Sequence, residues 1–549
     1  MKRFLPVACL CALALPALAA DIRSDRIAES VKTMTSDFFE GRAPGTVGEE
    51  RTVGYLIGQF QALGLEPGGR EGSWVQPVQL LHTRLGEPTR LGLEVDGRLQ
   101  PWRRGEEVYV STVRGDDRAV IDRAPLVWVG YGVHAPERGW DDYKGVDLAG
   151  KVAVFLVNDP DFEATADEPA AGRFGGKAMT YYGRWTYKFE EASRRGAIGA
   201  LIVHDAPGAG YGWNVVTSPQ GENYDIVRAP GKGSTLALQG WISGGTAKAL
   251  FEAADLDLAA QRRAARRDDF RPVELEKLRF VAEVPVEHRV VLSHNVLAKI
   301  PGSRHPQETV FYGAHWDAYG SGPADAQSRT LRAGANDDAL GVAGLLEIAR
   351  AFKAGTPPER SVVFGVWTAE ERGLLGSEAY ALDPVYPMET TVANLTVDVL
   401  QTRGKARDVI LVGVGQSGLE DDLARFARAQ GRTVTPESLP ERGLFFRADH
   451  FSFAKRGVPV LLMMGLAGAS DLVEGGREAG QAWVDDYTGR CYHQPCDAWG
   501  PDWNLQGAVD DIALLHAIGD ELARSRRWPA LREGSEFRPL REASAAQRR

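Results

Sequence analysis

The stretch ALGVAGLLEIARAFKAGTPPERSVVFGVWTAEE, residues 339–371, decides the fold. Its first half, ALGVAGLLEIARAFKAG (339–355), carries apolar residues at helical spacing and stops at a glycine followed closely by two prolines. Its second half, SVVFGVW (361–367), is a short unbroken apolar run, the pattern of a strand buried on both faces. Strands of the same kind lie on either side: TVFYGAH (309–315), TVANLTVD (391–398), DVILVGVG (408–415) and VPVLLMM (458–464). Apolar strands alternating with amphipathic helices predict an α/β fold, with a doubly wound, mostly parallel sheet covered on both faces.

In such a sheet the functional groups collect just beyond the carboxyl ends of the strands. TVFYGAH ends in His315 with Asp317 two residues on, SVVFGVW runs out into Glu370 and Glu371, and TVANLTV ends at Asp398. GANDDALG (334–341) brings Asp337 and Asp338 to the start of a helix, where Asp338 reads equally as a cap or as a catalytic group. His493 sits further on, in CYHQPCD (491–497). Carboxylates and imidazoles so concentrated on one sheet edge repel one another unless a cation holds them. A pair of zinc ions meets that need, because each takes nitrogen and oxygen ligands and two neighbouring metals share a bridging carboxylate.

The remaining composition narrows the function classes. The 549-residue chain exceeds the size at which a single core stops growing, so two domains are expected. A net charge of -10 gives no support to a nucleic-acid partner. Residues 1–20, MKRFLPVACLCALALPALAA, have Lys2 and Arg3, an apolar stretch and then small residues, the pattern of a secretory signal peptide too short for a membrane span. An exported protein without a membrane span, periplasmic or extracellular, is therefore expected. Cys9 and Cys11 leave with the leader, and in an oxidising compartment the remaining Cys491 and Cys496 pair as a disulfide.

Along the mature chain, SDRIAESVKTMTSDFFEG (24–41), opening on a Ser24 cap, and VGEERTVGYLIGQFQALG (47–64) read as helices. From about 116 to 288 short strands such as APLVWVGYGV (124–133), KVAVFLVND (151–159) and IGALIVHD (198–205) alternate with Gly, Pro and Asp turns, the texture of an inserted β-rich module. The basic AAQRRAARRDDFRPVELEK (259–277) marks its end. The division is thus 21–115 for the first part of the main domain, 116–288 for the insert and 289–549 for the second part with the metal site. GVDLAGKV (145–152) falls short of a phosphate loop, since Val152 stands where a magnesium-ligating hydroxyl is required.

The set GAHWDAYG, GANDDALG, TAEERGLLGS, NLTVDV and YHQPCD, in this order, resembles the secreted co-catalytic dizinc aminopeptidases, whose fold also underlies glutamate carboxypeptidase and the transferrin receptor ectodomain. The insert resembles the protease-associated domain of many of these enzymes, and EGRAPGTVGEERTVGYLIGQFQALGL (40–65) resembles their opening helices. The resemblance implies a zinc metallopeptidase acting on peptides, with two zinc ions per chain. Asp337 would bridge them, Glu371 and His493 completing one site and His315 and Asp398 the other. It implies Glu370 as general base, Asp317 as the carboxylate orienting His315, and Tyr492 as a hydrogen-bond donor to the tetrahedral intermediate. A carboxypeptidase, a single-zinc glutaminyl cyclase and a binding ectodomain with a dead site are the alternatives on this fold; full retention of the ligand set and Glu370 argues against the last. Serine chemistry is disfavoured by the absence of a G-x-S-x-G elbow. The other histidines, and Asp449 and His450 of RADHFSFAKRGVPV (447–460), are given no role.

Overall fold

The computed structural model describes residues 21–229 and 231–548; the expected leader, with Cys9 and Cys11, lies outside them. Its central sheet runs in the order Val460–Met463, Thr391–Val397, His305–His315, Arg360–Trp367, all parallel. The end of the long strand Val273–Ile300 then adds antiparallel, followed by Val75–Leu85 and Glu222–Ile226. Alternation along each strand sends side chains to two cores: Val310, Tyr312 and Ala314 pack with Val362, Phe364 and Val366 on one face, while Phe311 packs with Val363 and Trp367 on the other. Helices Leu340–Ala354 and Gln506–Arg524 cover the first face, and helices Leu375–Leu382 and His450–Ala454 contribute to the second. The doubly wound α/β architecture expected from residues 339–371 is therefore the one observed.

Two local expectations differ. DVILVGVG was expected to extend the alternating strands, but among the described residues Asp408–Leu411 pairs only with Thr433–Pro436, in a two-stranded sheet of its own. The outer edge of Thr391–Val397 is taken by Val460–Met463, so Asp408–Leu411 does not follow its predecessor as a ladder neighbour. Ser24 opens helix Ser24–Met34 as its first residue rather than as its cap, and its hydroxyl meets the Gln506 side chain at 3.2 Å.

A second β-rich layer contains Arg118–Trp128, Val152–Leu156, Gly199–Val203 and Leu238–Ile242, parallel in that order, with Val108–Ser111 antiparallel at the edge. Strands Arg90–Val95 and Arg98–Pro101 also belong to it, so this layer takes in chain upstream of residue 116, where the texture of the sequence changes. Nor does a break occur at 288. Val273–Ile300 is one continuous strand that pairs with Arg118–Trp128 as far as Pro285 and with Val75–Leu85 from Val286. A strand that changes partners without interruption carries no compositional boundary. Glu222–Ile226 returns from this region to pair with Val75–Leu85, so the two layers are stitched together at the edge nearest Glu370 and Glu371.

Candidate metal centre

Three parallel strands deliver the expected residues to one edge. His315 is the last residue of His305–His315, opposite Trp367 in register, and Asp398 directly follows Thr391–Val397. Glu370 and Glu371 occupy the turn after Arg360–Trp367, and Asp337 lies just before helix Leu340–Ala354. His493 closes the group from the loop bounded by the Cys491–Cys496 disulfide, whose Cα atoms are 5.0 Å apart. The expected disulfide is therefore formed in the structure.

Asp337 stands at the middle. Its Oδ1 is 3.1 Å from His315 Nε2, and its Oδ2 is 3.2 Å from His493 Nε2. Glu371 Oε2 approaches the same His493 nitrogen at 3.0 Å, and Asp398 Oδ1 lies 3.9 Å from His315 Nε2. Two triads result, His315–Asp337–Asp398 and Asp337–Glu371–His493, each with ligand atoms within 4.8 Å of one another. Although His493 Nε2 and Asp337 Oδ2 are this close, neither is in hydrogen-bond geometry with any partner, and both are buried. Buried polar atoms are rarely left so, and a shared cation would satisfy both at once. The donor set, two imidazoles and three carboxylates with one shared, fits a pair of zinc ions.

The charges of the site carry the same strain. Burial raises Glu370 well above the usual carboxylate range despite the pull of His315, and Asp398 and Glu371 push it further. Burial and then Asp337 raise Asp398. Asp337, although buried, is held low by its contacts with His315 and His493. Burial opposes charge on His493, but Glu371 and Asp337 outweigh it and lift the imidazole to about 10.

Asp317 acts on more than His315. Its main-chain carbonyl, at 3.1 Å from His315 Nδ1, takes the hydrogen bond expected of its carboxylate, which lies 3.6 Å from that nitrogen. The carboxylate instead accepts the Glu370 N–H at 2.9 Å and so fixes the turn that presents both glutamates. Asp338 accepts the Gly341 N–H at 3.0 Å in the first turn of its helix, which favours the capping alternative. Tyr492 stacks on the His493 ring at 3.7 Å.

Four residues near the centre escaped sequence reasoning. The carboxylate of Asp497, the last residue of CYHQPCD, accepts the Asn336 and Asp337 N–H groups at 2.9 and 3.1 Å and the Tyr487 hydroxyl at 2.9 Å. Tyr319 places its hydroxyl 3.2 Å from His493 Nδ1, leaving Nε2 to face Glu371 and Asp337. Arg42, fully buried in the EGRAPGT segment, donates to the carbonyls of Trp316, Ala333 and Gly334, tying the His315 and Asp337 loops together. Gly334 has a φ of 53°, and a Cβ there would lie 2.2 Å from the Asp337 carbonyl oxygen. Asp449, set aside at first, is buried near the site with its charge acting on Glu370 and Asp398. His450 packs against Phe445 and takes no part.

Asp497→Asn loses one acceptor oxygen while keeping the size of the side chain. Zinc affinity should fall by about 10- to 100-fold, as for other outer partners of metal ligands, with the fold retained; titration against a competing chelator reads the change.

A cleft of about 280 Å³ opens beside the centre and reaches Glu370, Glu371, Tyr492 and His493 from the side of the second layer. Comparison with known proteins gives the model of peptidase family M28 as a match over residues 295–517. The leupeptin-inactivating enzyme 1 of Streptomyces exfoliatus is 30% identical over 210 residues, 37% of this chain and 43% of that protein. Aminopeptidase NAALADL1 of Mus musculus is 38% identical over 125 residues, 21% of this chain and 15% of that one. The chain thus spans less than half the length of these curated relatives. Among solved structures, an aminopeptidase from Aneurinibacillus sp. strain AM-1 aligns with 91% of this chain and 94% of its own at 20% identity and a TM-score of 0.48.

Proposed function

We propose, from the premise that residues 295–517 form a domain of peptidase family M28, that the protein is a zinc metallopeptidase removing N-terminal residues from peptides, with two zinc ions sharing Asp337. The observation that carries this reading is the pair of triads meeting on one carboxylate. His315 and Asp398 would hold one ion, Glu371 and His493 the other. The names of the Streptomyces and mouse relatives support peptide substrates. No helix among the described residues is long and apolar enough to cross a membrane, and the leader-like 1–20 supports export.

Bound zinc would supply Lewis acidity and lower the pKa of the attacking water. The rest falls to the chain. Glu370, buried beside both triads, takes the water's proton on its carboxylate and later returns it to the leaving amine. Asp317 keeps that carboxylate in place through the Glu370 N–H. Tyr492, which lines the cleft, offers its hydroxyl to the oxyanion as it develops. Residues of the second layer, Trp185 among them, line part of the cleft.

A panel of aminoacyl-nitroanilides, free peptides and N-acetylated peptides tests the proposal. Substrates with a free N-terminus should be cleaved, acetylated ones should not, and a chelator should abolish activity that zinc restores. Activity surviving chelation would refute the metal role, and release of the C-terminal residue from acetylated peptides would refute aminopeptidase action.

A further inference from the structure

Arg372 ends the turn that presents Glu370 and Glu371, yet among the described residues its guanidinium forms no ion pair. It lies instead against two tyrosine rings, 5.0 Å from the centre of Tyr224 and 4.9 Å from that of Tyr319. Glu222, whose carboxylate feels the arginine's charge, is already bound to His82 at 2.6 Å. A planar guanidinium suits this place, because it stacks on aromatic faces while its N–H edge stays in water.

The two rings come from different parts of the fold. Tyr224 belongs to strand Glu222–Ile226, which returns from the second layer, and its ring is itself stacked on His82 at 4.5 Å. Arg289 donates to His82 Nδ1 at 3.2 Å, so both nitrogens of that imidazole are held. Tyr319 reaches the metal centre, with its hydroxyl 3.2 Å from His493 Nδ1. Tyr492, stacked on His493 at 3.7 Å, sets the plane of the imidazole but not its rotation within that plane. The contact at Nδ1 sets the rotation. With the Nδ1 proton donated to the Tyr319 oxygen, the Nε2 lone pair turns toward Glu371 and Asp337.

A tyrosine in a loop changes rotamer readily unless something packs against its ring. Arg372 packs against Tyr319, and Tyr224 packs against Arg372. We propose that Arg372 is a positioning residue for the metal centre, joining Tyr224 to Tyr319 so that zinc affinity at the Asp337–Glu371–His493 triad depends on the strand returning from the second layer. This rests on the two-zinc reading above.

The test measures zinc affinity in the full-length protein by titration against a competing chelator, with one triad disabled at a time. His315→Gln leaves the Asp337–Glu371–His493 triad to report, and His493→Gln leaves the other. In the His315→Gln background Arg372→Leu should lower the affinity about tenfold, the lower end of the range for outer partners of a metal ligand, and in the His493→Gln background the change should stay within about twofold. Tyr224→Leu should repeat that pattern, whereas Tyr224→Phe, which keeps the ring, should leave both affinities unchanged. Once Tyr319→Phe has removed the hydroxyl, Arg372→Leu should cost at most about twofold more, because it acts through that hydroxyl. If either background fails to load, the two uptake steps of the native chain decide, and Arg372→Leu should move one of them only. An arginine that merely ties the layers together would lower the melting temperature and move both affinities equally or neither. That outcome, or a loss of about tenfold that persists in Tyr319→Phe, would overturn the proposal while leaving the zinc reading intact. A native chain that takes up no zinc would instead refute the zinc reading, and the proposal with it.

Discussion

Glu370→Gln is expected to lower turnover by about 10²- to 10⁴-fold, the usual worth of a general base, with little change in KM and none in zinc content. The amide keeps the shape of the side chain and its place beside both triads, but it cannot take a proton. Its neighbour should fail differently. Glu371 approaches His493 Nε2 at 3.0 Å within one triad, so Glu371→Gln would replace an anionic candidate ligand with a neutral one and should weaken that site. Added zinc should restore part of the Glu371→Gln activity and none of the Glu370→Gln activity. Equal loss of zinc from the two variants, read by metal analysis after dialysis, would refute this division of labour.

Asp337→Asn should have the widest effect on metal. Asp337 belongs to both triads, with one oxygen toward His315 and the other toward His493. An amide offers only one good ligand oxygen, so it cannot serve both ions, and the variant should bind zinc weakly and lose activity at any practical zinc concentration. His315→Gln or His493→Gln, by contrast, each touches one triad only and should leave the other site able to load.

The sheet and the gathering of candidate ligands at its edge were legible because both are written in local sequence. Buried strands read as apolar runs, and the residue following such a run must emerge at the sheet edge, which is why His315, Asp398 and the Glu370–Glu371 pair could be found without a structure. The supporting residues act through the main chain of distant segments. Asp497 holds two amides some 160 residues away, and Arg42 grips carbonyls more than 270 residues on. No local pattern announces such a partner. Asp317 shows the same limit within a motif: it lies beside His315, but its carboxylate buttresses Glu370 while its carbonyl meets His315. The layer boundary was hidden for a related reason, since Val273–Ile300 changes partners at Pro285 and Val286 without leaving the extended conformation.

Mass spectrometry of the intact protein under native conditions, during titration with zinc, tests the shared bridge most directly. The account predicts that the native chain takes up two zinc ions and that Asp337→Asn retains at most one, weakly. A native chain that saturates with a single zinc while fully active, or an Asp337→Asn variant that still holds two, would contradict it.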